Sequence, residues 1–305
     1  MIGDMQRWTP NIASIIEHAK EFHPTKEVIS RMVSGDIHRT NYEEVCIRSR
    51  KLASALEKDG YKKGDVIATL ALNTYRHLEM YYGISGMGAI CHTLNFRLHP
   101  EQAVYIINHA DDKIIFCEVP FIPILEGLKD QLPCVEKYII LCDEADMPET
   151  GLKNAISYEE YINSGDEDYV WAEMDDDAAC GLCYTSGTTG NPKGVLYSHK
   201  SNILHAQASL NGMPISSDET ILMVVPLFHV LAWGIPYYGP MNGSKLVMPG
   251  MQMEGEPLYD LIDREKVTLA FSKDDQHIII ELKDNGVGFN SKKGKKGIGI
   301  KNIKS

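Results

Sequence analysis

The chain has 305 residues, enough for one large or two ordinary domains, and at 44% hydrophobic content it can bury a sizeable core. Its net charge of −12 argues against a nucleic-acid surface, which works by neutralising phosphates. It has no basic-then-apolar leader and no apolar run of membrane-spanning length, so a cytoplasmic protein without a membrane span is expected. Seven cysteines without a framework suit a reducing compartment. Cys180 and Cys183 have CxxC spacing, but strand positions three apart point to opposite faces, and no second pair completes a zinc site.

In chain order, Thr40-Asn-Tyr-Glu43 forms a capping-box start to a long helix that Gly60 ends. Runs rich in Ile, Val and Leu at 65–72, 89–94, 113–118 and 137–142 predict buried strands. Helical spacing lies between them, over about 76–87, 100–111 and 121–131. Such alternation implies an α/β fold, a parallel sheet with helices on its faces. Residues 147–177 are acidic and weakly patterned and read as a surface connection. A strand over 178–184 follows, with 194–198 as the other arm of a hairpin. A second α/β run closes this part: helix 199–210, strands 220–226 and 244–248, helix 256–265.

The hairpin carries the most informative segment, Tyr184-Thr-Ser-Gly-Thr-Thr-Gly-Asn-Pro-Lys-Gly-Val195. Glycine lets backbone N–H groups turn toward an anion, hydroxyls add donors, and Lys193 adds a mobile positive charge. Together they describe a loop that wraps the phosphates of a nucleotide. It is not the common P-loop, because Asn191 and Pro192 separate Gly190 from Lys193. The plain alternative is a polar turn between strands.

This stretch resembles the phosphate-binding signature of the AMP-forming acyl-CoA synthetases, the adenylating superfamily, and the likeness runs from about residue 8 to about residue 270. Supporting stretches are Arg76–Tyr82, Cys91–Gln102, Tyr105–His109 and Pro226–Tyr237. The chain looks closest to short- and medium-chain acid–CoA ligases such as the 3-methylmercaptopropionyl-CoA ligases. The resemblance implies the N-terminal part of that fold: two sheet-and-helix subdomains, the second incomplete, with the active site in the cleft between them. It also implies ATP, magnesium and coenzyme A with a small carboxylic acid, and a homodimeric intact parent. By the same resemblance Thr185 would be a magnesium ligand. Ser186, Gly187, Thr188, Thr189, Gly190 and Lys193 would cradle the β- and γ-phosphates. His229 would mark the acyl-pocket wall, with Trp233 as a gate and Gly234 beside it. The plain alternatives are a hydrogen-bonded histidine at a strand end and ordinary aromatic core packing. His199 and His205 read as helix residues without a chemical role, and Tyr237 and Tyr238 as structural.

The character of the chain changes after about residue 270. Residues 271–305 hold eight lysines and four acidic residues, a balance of +4; the rest carries −16. A strand is predicted over His277–Lys283, able to add to an available sheet edge, and Asn290–Ser305 has too little apolar surface to offset ordering entropy. The segments around Asp284, Gly286 and Gly288, then Gly297 and Gly299, resemble the ATP-binding domain of sensor histidine kinases. The plain alternative is a lysine-rich tail with accidental glycine pairs. In the ligase family a later Tyr-Gly-x-Thr-Glu segment, a ribose-binding aspartate and a mobile C-terminal domain with its lysine would follow; none is present here. The expectation is therefore a composite, with residues 1–270 a truncated, inactive ligase half and residues 271–305 a kinase-like fragment joined by an assembly or cloning artefact. The function alternative is a signalling ATPase module of the histidine-kinase type.

Overall fold

The computed structural model describes residues 8–185, 191–213 and 215–267, together with the backbone of Ala270–Lys273 and Ile278–Glu281. Helix α1 (Ala13–Phe22) leads into a hairpin of β1 (Glu27–Arg31) and β2 (Ile37–Asn41), neither signalled above. Helix α2 (Tyr42–Lys58) starts one residue later than Thr40 suggests: Asn41, in extended conformation, accepts from the Glu44 N–H at 2.9 Å. Asn caps as well as any residue, and it leaves the Thr40 hydroxyl free to donate to the Glu44 carboxylate at 2.7 Å. At the far end Gly60 adopts φ +97°, the left-handed stop that glycine permits.

The predicted alternation follows. It comprises β3 (Val66–Leu70), α3 (Tyr75–Gly86), β4 (Ile90–Thr93), α4 (Pro100–Ala110), β5 (Ile114–Cys117), α5 (Ile122–Leu128) and β6 (Lys137–Ile140). The supposed surface connection instead contains β7 (Ala155–Ser157) and α6 (Tyr158–Asn163), where the Ser157 hydroxyl accepts from the Glu160 N–H at 3.2 Å. Both are too short to show a period, yet α6 buries Tyr158, Tyr161 and Ile162. Then come β8 (Ala179–Thr185), β9 (Lys193–Ser198), α7 (His199–Gly212), β10 (Thr220–Leu222), α8 (Ile235–Asn242) and β11 (Lys245–Met248).

Seven strands form one sheet in the order β7-β6-β5-β3-β4-β8-β9, all parallel except the β8–β9 hairpin. A second sheet, β10-β11-β1-β2, is parallel but for the β1–β2 pair. One core cluster packs α1, α2 and α3 with residues of α6, α7 and α8; the other lies under α4 and α5. A bulge between Ala179 and Gly181 breaks the alternation of β8, so Cys180 and Cys183 enter the same cluster rather than facing opposite ways. They still make no pair: Cys180 accepts from Asn202 at 3.1 Å, Cys183 lies 3.3 Å from the Thr93 hydroxyl, and both thiols are free.

This arrangement makes up one compact unit, which ends at Glu254; a second begins at Gly255. The second holds α9 (Gly255–Glu265) and the antiparallel pair β12 (Ala270–Lys273) and β13 (Ile278–Glu281), with Phe271 opposite Ile280. The isoleucine-rich strand thus pairs with β12 and not with an edge of either larger sheet. A local hairpin needs only a short loop, whereas joining a distant edge closes a long one. The joint placed near residue 271 falls inside β12.

Candidate functional site

In open α/β sheets ligands gather at the C-terminal ends of the strands. Here β8 ends on Thr185 and β9 begins on Lys193, directly opposite it in the ladder. Both side chains are exposed, and the Thr185 hydroxyl reaches the Lys193 carbonyl only at 3.5 Å. The hairpin therefore presents a hydroxyl and an ammonium at the mouth of the predicted phosphate loop. Ser186, Gly187, Thr188, Thr189 and Gly190 lie outside the described residues. Behind Thr185, the Tyr184 hydroxyl and His109 Nδ1 are 2.7 Å apart, and the Tyr184 ring lies 5.1 Å from that of His92. Burial pushes the Tyr184 phenol up to about 12. His92 is in turn held by Asp112, at 2.8 and 3.0 Å from Nδ1. The base of the loop is thus fixed by side chains from α4 and β4.

The second wall is the segment 223–234. Asn73, just past β3, donates to the carbonyls of Met223 and Val225 at 2.7 and 2.8 Å and accepts from the Leu227 N–H at 2.8 Å. Those three bonds take the backbone out of the sheet, so β10 ends at Leu222 and not at Pro226. The Tyr81 hydroxyl donates to the Leu227 carbonyl, and Thr93 donates to that of Phe228 at 3.4 Å. His229 then stands exposed ahead of a turn in which Val230, Leu231, Ala232 and Trp233 all take φ of +48° to +55°, with Gly234 at +79°. A left-handed residue other than glycine costs about 1–2 kcal/mol, so four set about 4–8 kcal/mol against this turn. Packing holds it: Leu231 and Ala232 are buried, and Leu231 lies where a Cβ on Gly181 would meet it at 3.0 Å. Such strain persists where surroundings over-determine it, commonly at ligand sites. Its product is Trp233, 61% exposed and so not the core aromatic of the plain alternative. Gly234 is buried against α7, where a Cβ would lie 2.5 Å from His205 Nδ1.

The other histidine and tyrosines behave structurally. His199 is buried at the start of α7, accepts from the Ile12 N–H at 3.3 Å, and is lowered to about 4 by burial. Tyr237 and Tyr238 are buried in α8. Three neighbouring carboxylates, Asp175, Asp176 and Asp177, precede β8 and so sit at its opposite end; Lys200 pairs with two of them at 3.0 Å.

Residues 16–273 match the family model of the AMP-binding enzymes. The chain belongs to that family. It is 45% identical over 272 residues to a medium-chain-fatty-acid–CoA ligase of Ectopseudomonas oleovorans, covering 88% of this chain and 50% of the relative. It is 44% identical, with the same coverage, to a 3-methylmercaptopropionyl-CoA ligase of Ruegeria lacuscaerulensis. The chain thus spans about half the length of these curated relatives. The crystal structure of the anthranilate CoA ligase AuaEII with anthranoyl-AMP has the same fold: TM-score 0.75, 22% identity, covering 88% of this chain and 51% of that one. This family member's N-terminal α/β fold agrees with the sequence reading. The kinase-like segment gains no support: the family match ends at residue 273, and Asp284, Gly286, Gly288, Gly297 and Gly299 lie outside the described residues.

Sequence reasoning named Thr185, Lys193, His229, Trp233 and Gly234 as candidates. It did not name Asn73, Tyr81 and Thr93, which anchor the 223–234 segment, or His109, which meets Tyr184. Asn73-Thr74 before a helix is an available signal, being a polar pair at a strand-to-helix turn. Nothing in Val-Leu-Ala-Trp announces a left-handed turn, since none of these residues favours positive φ.

Proposed function

We propose that this chain carries the nucleotide-binding surface and part of the acyl pocket of an AMP-forming acid–CoA ligase. Its substrate is a short- or medium-chain fatty acid or a methylthio-propionate-like acid. The observation that carries this reading is the pairing of Thr185 with Lys193 at the mouth of the loop, beside the anchored 223–234 segment.

The reaction joins an acid to a thiol through a mixed anhydride. The carboxylate attacks the α-phosphorus of ATP and expels pyrophosphate; the thiolate of coenzyme A then attacks the acyl carbon and expels AMP. Lys193 offsets charge on the phosphates, as a preorganised cation does wherever anions must approach one another. Thr185 offers a hard oxygen, and its long contact to Lys193 leaves that oxygen free for magnesium, which suits a cation that keeps waters and phosphate oxygens. Magnesium supplies further neutralisation of the phosphate oxygens when bound. His229 and Trp233, presented by the left-handed turn, face the acid, and Gly234 lets that turn close against α7. The remaining half of such a ligase contributes the carboxylate that helps hold magnesium and the C-terminal lysine, so the 305-residue chain alone binds nucleotide without completing thioester synthesis. Cytoplasmic location and a homodimeric full-length parent belong to the same reading. No observation favours the signalling-ATPase alternative.

Titration with pyrophosphate and ATP tests the reading. Lys193→Ala removes a charge-assisted contact worth about 1.5–3 kcal/mol, so affinity should fall by about 10- to 100-fold. Unchanged affinity would reduce the loop to a turn. Robust thioester formation by the chain alone would refute the partial-site reading.

A further inference from the structure

A groove of about 1060 Å³ lies between the β1–β2 hairpin, the start of α3 and the residues that follow β5 and β6. Its place in the topology is telling. From β3 the chain crosses to β4 on one side; from β5 it crosses to β6 on the other. The carboxyl ends of β3 and β5 therefore flank a point where connections diverge, the position at which open α/β sheets leave a crevice. Glu118, the first residue after β5, lines that crevice, with its N–H bonded to the Leu70 carbonyl of β3 at 3.0 Å.

Glu118 is 2% exposed, and among the described residues its Oε1 has no hydrogen-bond partner. Burial raises the Glu118 carboxyl to about 7, with Arg76, the Leu72 amide and the Thr74 hydroxyl acting the other way. Leaving an acceptor unmet in such a place is costly, so a donor from a ligand has much to gain there.

The surroundings specify what kind of donor. The two guanidiniums of the groove are already neutralised. Arg48 binds Glu79 at 2.6 Å and Glu159 at 2.9 Å; Arg76 binds Glu159 at 3.0 Å and also Asp143. Four exposed acids, Asp36, Glu44, Asp143 and Asp146, stand on the rim, and among the described residues no lysine lines the groove. An anion would meet net repulsion. Met32, Ile37 and Leu141 give the wall apolar stretches, and His38 stacked on Tyr75 at 4.0 Å adds an aromatic face. We propose that this groove binds a small primary alkylammonium compound, its N–H groups donating to Glu118 and its carbon chain lying along the apolar wall toward the acidic rim. The site is separate from the nucleotide loop and independent of the acid that the ligase activates.

Calorimetric titration with 1,5-diaminopentane at fixed ionic strength tests this. Expected is saturable one-to-one binding that Glu118→Gln weakens at least about tenfold, the loss of one charge-assisted bond. Asp175→Asn, at the far end of β8, should not weaken it. Tetramethylammonium, with the charge but no N–H donor, should not compete. Absence of saturable binding, equal affinity of Glu118→Gln, or equal competition by tetramethylammonium would each overturn the proposal, the last two by showing loose attraction to the rim. Tighter binding of a capped lysine tripeptide than of the diamine would overturn the small-molecule assignment. Glu118→Gln removes a buried ionisable group without changing shape, so it should fold, and circular dichroism checks that it does.

Discussion

Asn73→Ala should release the 223–234 segment from the end of β3. The side chain makes three bonds of 2.7–2.8 Å, to the Met223 and Val225 carbonyls and from the Leu227 N–H. Alanine leaves all three groups without that partner. Met223 and Leu227 are fully buried, so two groups suffer the whole penalty of about 1–3 kcal/mol each; Val225 is half-buried, and water can replace its bond. The expected loss is about 3–5 kcal/mol, a third or more of the stability of an ordinary domain. Asn73→Asp should be worse, because it turns a carboxylate toward two carbonyl oxygens. Urea denaturation followed by fluorescence measures the loss, and hydrogen exchange at the Leu227 amide localises it. A loss under about 0.5 kcal/mol with Leu227 protection unchanged would refute the claim that Asn73 anchors the segment.

Gly234→Ala adds a Cβ at φ +79° and 2.5 Å from His205 Nδ1, so it should destabilise by about 1–3 kcal/mol and displace the His205 ring, read from its NMR shifts. Gly212→Ala, with nothing within 4 Å and no positive φ, should be neutral or slightly stabilising. Burial lowers His77 and His199 to about 4, and the unfolded chain protonates first. Stability should therefore be full above pH 6.5 and fall as pH drops toward 4, by up to about 3 kcal/mol per histidine; denaturation midpoints across that range check it. Glu118 acts oppositely. Its folded value near 7 lies above the unfolded 4.5, so the native state loses stability as pH rises through that window. The advantage of Glu118→Gln over the parent should thus grow from near zero at about pH 4.5 to as much as about 3 kcal/mol above 7.

The parallel sheet was legible because β3, β4, β5 and β6 are buried on both sides and read as continuous apolar runs. The hairpin was legible because Thr185 and Lys193 bracket a glycine-rich loop. The first turn of α2 was misread by one residue because Thr40 and Asn41 are both good caps, and only the backbone angle at Asn41 decides between them. β7 and α6 were missed because three and six residues are too few to carry a period. The strained turn was illegible for a different reason. Its conformation is imposed by Asn73, Tyr81 and Thr93, whose partners lie about 135 to 154 positions away in sequence.

All twelve residues of α3 are buried, though Arg76, His77, Glu79 and Ser85 are polar. Each reaches a different part of the molecule: Arg76 meets Glu159 and the Leu141 carbonyl, His77 the Thr69 hydroxyl and Leu72 carbonyl, Glu79 the Tyr158 hydroxyl, Ser85 the Cys180 carbonyl. A purely greasy rod in that position could settle one turn up or down, about 5.4 Å, and still bury the same oil. This one cannot. A slip of one turn would pull several charged or hydrogen-bonding atoms from their mates at once. The helix works like a key with four teeth of different cut, and the lock it fits includes Cys180, whose strand ends on Thr185.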